Sequence, residues 1–176
     1  VVASPHFPWT GELKLWESHL TVPGEVEVYG VGLMGVPGVL IGFNEHVAWT
    51  HTFSAGNRFT FYKLDIDPAD PTSYMYDGTS RPMTKKTFEV EVMGGDTVQR
   101  TLYYSHYGPM LNLDPIGWSD TVGLTYRDAN IENPRLIEQF LGMDRATSLD
   151  EFKQVYATVQ GIPWVNTMAA DKFGNV

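Results

Sequence analysis

Short apolar segments separated by turn-forming residues dominate the first three-quarters of this 176-residue chain, and they require a fold built mainly from β-strands. Residues 58–67 alternate apolar and polar side chains over most of their length, which is the period of a half-buried strand. Residues 84–92 and 97–105 flank Gly94-Gly95-Asp96, a combination typical of a β-hairpin. Similar strand character is found in residues 25–34, 39–44, 47–53, 121–128 and 164–171.

Two helices are predicted before the last of these strands. Asn133 and Pro134 commonly begin a helix, as its cap and its first residue. The periodicity predicts an apolar face formed by Leu136, Ile137, Phe140 and Leu141. The second helix is predicted to begin near Thr147 and Asp150, which are spaced like a capping box, and to end at Gly161. Its apolar face is predicted to consist of Phe152, Val155, Tyr156 and Val159.

This order of elements indicates an α+β fold, in which helices are layered against a mostly antiparallel sheet. Hydrophobic residues make up 43% of the chain, which is enough to bury a core. No segment has the composition of a linker, so we predict one domain or part of one.

The charge balance argues against a nucleic-acid partner. The chain has 12 Lys and Arg against 21 Asp and Glu, a net charge of −9, whereas binding to a phosphate backbone needs a basic surface. The longest uncharged apolar run, residues 28–43, is shorter than the roughly 18 residues of a membrane span and contains Pro37. We therefore expect neither a nucleic-acid partner nor a membrane span.

No local motif supplies a complete catalytic set. The chain has no cysteine, no G-x-S-x-G elbow and no H-E-x-x-H metal motif. Ser105 and His106 are neighbours, and on a strand they would point to opposite faces. His46 and His51 are five residues apart and would also face opposite ways, so we expect no shared metal site.

Longer stretches of sequence resemble a known family. They are S-P-H-F-P-W (4–9), H-L-T-V-P-G (19–24), G-F-N-E-H-V-A-W-T-H-T-F-S (42–54), D-P-T-S-Y (70–74), Y-R-D-A-N (126–130) and G-I-P-W-V-N-T-M-A-A-D (161–171). Together, in order and along nearly the whole chain, they resemble the penicillin acylase family of N-terminal nucleophile hydrolases. The most similar branch is that of the acyl-homoserine lactone acylases and the aculeacin-type lipopeptide acylases.

The resemblance implies an αββα sandwich of two antiparallel sheets between helical layers. Residues 1–176 would be a segment of the β subunit, truncated at both ends and covering only part of that sandwich. The resemblance also implies a heterodimer with an α subunit from the same precursor, and a periplasmic or secreted bacterial enzyme without a cofactor. Its substrate would be a small acyl amide.

In this family the nucleophile is a serine at the N-terminus of the β subunit, exposed by self-cleavage, and its own α-amino group serves as the base. Residue 1 is Val, so the resemblance implies that the serine lies upstream of this segment. His6 falls where this branch has a histidine that orients the serine. The backbone N–H of Phe53 would form half of the oxyanion hole. The other half, an asparagine side chain, is absent from this segment.

The resemblance also places an apolar pocket for the acyl group, because a dry wall of large side chains binds an apolar tail. Its residues would be Phe7, Ile41, Phe140, Trp164 and Val165.

One departure concerns metal. Penicillin G acylases bind a structural calcium through carboxylates shortly after the oxyanion strand, where this chain has Asn57 and Thr60. We therefore expect no metal site. Two alternatives to an amidase of N-acyl homoserine lactones or lipopeptides remain open at this point. One is a penicillin or cephalosporin acylase, and the other is a non-catalytic extracellular β-rich binding module.

Overall fold

The computed structural model describes residues 6–113 and 117–176. The secondary-structure elements are β1 (Leu15–Val22), β2 (Val26–Leu33), β3 (Ile41–Asn44), β4 (Val47–Phe53), β5 (Phe59–Asp67), β6 (Asp70–Tyr76), β7 (Thr79–Pro82), β8 (Thr84–Val90), β9 (Val98–Tyr104), β10 (Met110–Leu111), β11 (Val122–Asp128), α1 (Leu136–Arg145), α2 (Leu149–Val159) and β12 (Val165–Asp171). They form two compact units, one from residues up to 56 together with 132–176, the other from residues 57–131.

The first unit contains a five-stranded antiparallel sheet in the order β1-β2-β3-β4-β12. Strand alternation places Val28 and Trp49 on the face that packs against the helices, where their side chains are 1% exposed. The core is completed by Phe140 and Met143 of α1 and by Phe152 of α2. The ring centroids of Trp49 and Phe152 are 5.5 Å apart. Antiparallel strands with paired helices on one face confirm the α+β prediction.

The second unit has a sheet in the order β10-β11-β5-β6-β7 and the separate β8–β9 hairpin. Its smaller core is formed by Leu64, Ile66, Tyr74 and Met83. The hairpin predicted around Gly94-Gly95-Asp96 is confirmed, with Val90 paired to Val98.

The helix boundaries differ from the prediction by one or two residues. The cap of α1 is Arg135, rather than Asn133 with Pro134 as first residue. The cap of α2 is Ser148, whose hydroxyl accepts a hydrogen bond from the Glu151 N–H at 3.2 Å. The sequence S-L-D-E therefore supplies the S-x-x-E spacing, one residue after the predicted pair.

The end of α2 and the buried face of α1 also differ from the prediction. The left-handed residue that ends α2 is Gln160 (φ 53°), one residue before Gly161. Ile137 and Leu141 of α1 are 41% and 40% exposed, and the buried residues of this helix are Gln139, Phe140, Met143 and Asp144. No helix in residues 6–113 and 117–176 is long and apolar enough to cross a membrane.

Candidate active site

The end of β4 presents a backbone donor that the described strands of the sheet do not use. The N–H of Ser54 donates to the Trp164 carbonyl at 3.0 Å, and Phe53 lies opposite Val165 in the β4–β12 register. Because successive N–H groups of a strand alternate between its two sides, the Phe53 N–H points away from β12. It also lies beyond the β3–β4 pairing, whose described pairs involve only Ala48 and Trp49 of β4.

Three of the five predicted pocket residues, Phe7, Trp164 and Val165, lie at this end of β4. The rings of Phe7 and Phe53 stack with centroids 6.3 Å apart. Val165 and Trp164 are adjacent in the chain, and both pack against the cluster that contains Phe140. The end of β4 is therefore flanked by apolar side chains. Phe53 itself is 70% exposed, so its ring is available for further contacts.

Ile41 and His6 are placed differently. Gly42 is paired with Trp49, so Ile41 is directed to the opposite sheet face from Trp49 and Phe53. The structure thus does not bring Ile41 together with Phe7, Trp164 and Val165 at the end of β4. His6 is exposed at the start of the described chain and precedes Phe7 directly.

A hydrogen-bonded chain of three side chains begins at His51, two residues before Phe53 on β4. The sequence analysis considered His51 only as a metal ligand and did not predict this chain. The Nδ1 atom of His51 is 2.9 Å from the Thr167 hydroxyl, which in turn donates to the Tyr156 hydroxyl at 2.7 Å. Burial lowers the pKa of His51 to about 4 and raises the pKa of Tyr156 to about 12. The histidine is therefore neutral at pH 7. The signal available in the sequence is that His51 and Phe53 share one face of the same strand.

A buried carboxyl group is the second feature that the sequence reasoning missed. Asp144 is 2% exposed, and its Oδ2 accepts a hydrogen bond from the Val39 N–H at 3.0 Å. Burial raises its pKa to about 7. Asp144 follows Phe140 by four residues, so the two side chains lie on the same helix face.

An open groove of about 880 Å³ runs between α2 and β12. Its lining includes Phe152, Tyr156, Val165 and Thr167 and is mostly apolar. Tyr156 and Thr167 thus line the same groove as the predicted pocket residue Val165.

Other candidate groups are engaged elsewhere. The Ser105 hydroxyl is 2.9 Å from the Thr125 hydroxyl, whereas His106 Nδ1 lies 2.6 Å from the Tyr74 hydroxyl, so these neighbours have separate partners. Within the part of the chain that the structure describes, no group of three or more His, Cys, Asp or Glu residues could hold a metal ion. The chemical capability of the site therefore rests on the backbone donor at Phe53 and the apolar side chains beside it.

The fold and the family are given by comparison with known proteins. The structure superposes on a thermostable penicillin G acylase from Alcaligenes faecalis with a TM-score of 0.72, covering 98% of this chain and 30% of that one at 20% identity. Over this part of its chain, the fold is thus that of penicillin G acylase. The penicillin amidase family model matches residues 1–176, and the chain belongs to this family.

Curated relatives are similar along almost the whole chain. An acyl-homoserine lactone acylase PvdQ from Pseudomonas fluorescens is 42% identical over 179 residues, covering 99% of this chain and 23% of that protein. Aculeacin-A acylase from Actinoplanes utahensis is 38% identical over 175 residues, covering 99% of this chain and 22% of that protein. The chain therefore spans less than a quarter of the length of these relatives.

Proposed function

We propose that the protein containing this chain hydrolyses a linear acyl amide, either an N-acyl homoserine lactone or the acyl amide of a lipopeptide. The observation that carries the proposal is the Phe53 N–H, which points away from its sheet partner β12 beside the apolar residues Phe7, Trp164 and Val165. Such a donor can stabilise the oxyanion of acyl transfer, while the apolar side chains hold the acyl tail.

The proposed reaction begins at the hydroxyl of a serine upstream of Val1, freed by self-cleavage. Its oxygen attacks the amide carbonyl carbon while its proton passes to the serine's own α-amino group. The oxyanion accepts hydrogen bonds from the Phe53 N–H and from an asparagine outside this segment, and His6 orients the serine. The amine leaves with a proton, and water hydrolyses the acyl-enzyme to the carboxylic acid. In this proposal the segment alone is inactive.

The substrate choice follows the relatives named for acyl-homoserine lactones and aculeacin, which are 38–43% identical to this chain. Penicillin G acylase shares the fold at only 20% identity, so a β-lactam substrate is less well supported. We further propose an α subunit from the same precursor and a periplasmic or secreted location.

Two substitutions at Phe53 test the oxyanion role. Phe53→Pro removes the N–H, and the β4–β12 ladder loses no hydrogen bond because this N–H points away from β12. Phe53→Ala is the matched control, since it removes the ring and keeps the N–H. Both are made in the protein expressed from its complete gene and assayed on N-acyl homoserine lactones of increasing chain length, an acylated peptide and penicillin G.

We expect Phe53→Pro to lower kcat by about 10²- to 10³-fold, and Phe53→Ala to alter mainly KM and the preferred acyl length. Equal activity of the two variants would exclude the backbone donor. Turnover of penicillin G alone would favour the β-lactam alternative, and no turnover of any amide by the unmodified protein would favour a binding module.

A further inference from the structure

Among the described residues, the last residues of β4 pair with a strand on one side only. The described pairs between β3 and β4 are Gly42 with Trp49 and Phe43 with Ala48. Beyond Trp49, the partner of β4 in the sheet is β12, which pairs with it up to Phe53. The direction of the Phe53 N–H therefore depends on how firmly β12 holds this end of the strand.

Two side chains reinforce this pairing two residues before Phe53. His51 and Thr167 are directly opposite each other in the register, and His51 Nδ1 lies 2.9 Å from the Thr167 hydroxyl. Directly opposed side chains of an antiparallel pair are the contacts that stabilise its register. This bridge therefore fixes β4 relative to β12 close to the proposed oxyanion donor.

A third side chain ties both strands to the helix layer. The Thr167 hydroxyl donates to the Tyr156 hydroxyl of α2 at 2.7 Å, and the same hydroxyl lies 2.9 Å from His51 Nδ1. One hydroxyl group on β12 therefore contacts a side chain of β4 and a side chain of α2. These two contacts join the end of β4 through β12 to the helix layer.

We propose that His51, Thr167 and Tyr156 are positioning residues that hold the end of β4 so that the Phe53 N–H is directed at the reacting carbonyl oxygen. This inference rests on the proposed function, and it adds residues to which the family resemblance assigned no role. None of the three needs to contact the substrate, because each acts through the backbone of Phe53.

The test removes single hydroxyl groups and keeps side-chain shape, in the protein expressed from its complete gene. Thr167→Val and Tyr156→Phe break the chain at two different links, and Thr167→Ser restores the hydroxyl. The matched control is Thr158→Val on α2, because the exposed Thr158 hydroxyl donates to the Gln154 carbonyl of its own helix. The readouts are kcat and KM on an N-acyl homoserine lactone, together with hydrogen exchange of the Ser54 amide.

We expect Thr167→Val and Tyr156→Phe to lower kcat about 10-fold or more with KM within about twofold, because a misdirected oxyanion donor is lost mainly in the transition state. Thr167→Ser should return kcat to within about threefold of the original, and Thr158→Val should change nothing. An unchanged kcat in Thr167→Val, a parallel change of kcat and KM, or failure of Thr167→Ser to restore kcat would overturn the inference. If Thr167→Val does not fold, Tyr156→Phe decides by the same criteria.

Hydrogen exchange separates this inference from the proposed function. The Ser54 N–H donates to Trp164, so it reports on fraying at the end of β4 without any reaction. Faster exchange in Thr167→Val than in Thr158→Val would support the positioning of β4 even if the unmodified protein hydrolysed no amide. Unchanged exchange would overturn it, even in an active acylase.

Discussion

The carboxylate of Asp144 accepts a hydrogen bond from the backbone N–H of Val39 at 3.0 Å, and so joins the last turn of α1 to the loop between β2 and β3. The other oxygen of Asp144 is buried without a hydrogen-bond partner among the described residues. A single backbone donor offsets only part of the cost of burying this charge, so burial raises the pKa to about 7.

This geometry predicts a pH-dependent stability for which Asp144 is responsible. The carboxyl has a pKa near 3.8 when unfolded and about 7 when folded, so the folded state binds more protons in this range. The contribution of this carboxyl group to the free energy of unfolding is fully present below pH 4 and is lost as the pH rises through 7. The loss amounts to up to about 4 kcal/mol. Asp144→Asn keeps an acceptor for Val39 and cannot titrate. We therefore expect it to become more stable relative to the original protein as the pH rises from 4 to 8.

Urea unfolding of both proteins at several pH values measures this difference. Asp120→Asn, at an exposed position, is the matched control and should follow the original protein at every pH. Parallel stability curves for the original protein and Asp144→Asn would show that the buried carboxyl does not titrate in this range.

Asp144 also shows why the buried face of α1 was predicted only in part, with Phe140 and Leu136 packed in or against the core as expected. Hydrophobic periodicity selected Ile137 and Leu141, yet the helix buries two polar side chains instead. Gln139 accepts from the Gly161 N–H at 3.0 Å, as Asp144 does from Val39. Both donors belong to loops outside the sheet ladders, and a buried N–H needs an acceptor. A pattern of apolar residues cannot reveal such a requirement, because the partners are more than 20 residues apart.

Apolar and polar side chains alternate in strands with one buried face, as in β2, where buried residues alternate with more exposed ones. The β8–β9 hairpin has an exposed β8 and was predicted with the help of its turn residues Gly94-Gly95-Asp96. β1 was missed because its eight residues are exposed or half-buried and show no alternation. The short strands β6 and β7 were also missed, because each contains a proline, which is uncommon within strands. For the site, local motifs were uninformative, and only the family resemblance drew attention to Phe53, whose function would reside in a backbone atom.

A second prediction concerns the close approach of β2 and β3 at Gly30. A Cβ added there would lie 2.6 Å from the Cα of Gly42 and 2.7 Å from Cγ1 of Val39, and closer still to the Ile41 carbonyl oxygen. Backbone atoms of a paired strand cannot move aside, so Gly30→Ala should destabilise the protein by about 3 kcal/mol or more. Gly117→Ala, whose nearest neighbour would be 4.0 Å away, should change stability by less than about 0.5 kcal/mol in the same denaturation experiment. Equal effects would contradict the close approach.

A third prediction concerns the ion pair between Arg58, which directly precedes β5, and Asp128 at the end of β11. Arg58 donates from Nε and Nη2 to the two carboxylate oxygens of Asp128, at 3.0 and 2.8 Å. These hydrogen bonds hold the pKa of Asp128 below its ordinary value. Lysine cannot reproduce the two-pronged contact, so Arg58→Lys should cost about 1–2 kcal/mol at pH 7. Arg127→Lys, at an exposed neighbouring position, is the control and should have little effect.

The stability contributed by the Arg58–Asp128 pair depends on pH in the opposite direction to the stability contributed by Asp144. A carboxyl with a lowered folded pKa contributes stability above its unfolded pKa of 3.8, and loses it as the pH falls through the folded value. The difference between Arg58→Lys and the original protein should therefore shrink when urea unfolding is repeated below about pH 4. A cost that is constant down to acid pH would mean that packing of the Arg58 side chain, and not the ion pair, stabilises this site.

The last prediction is that calcium does not stabilise this protein. The family resemblance implies that Asn57 and Thr60 replace carboxylate ligands of the penicillin G acylases, and Thr60 is paired with Arg127 in the β5–β11 ladder. A neutral amide and a hydroxyl beside a guanidinium group are poor ligands for a hard dication, which prefers several carboxylates. A bound ion would raise stability in proportion to the logarithm of its concentration. Since we expect no bound calcium, EDTA and added calcium should each move the thermal midpoint by less than about 1 °C. Magnesium at equal ionic strength controls for charge screening. A midpoint that falls by several degrees in EDTA, and that calcium but not magnesium restores, would show that other oxygen ligands complete a site in the whole protein.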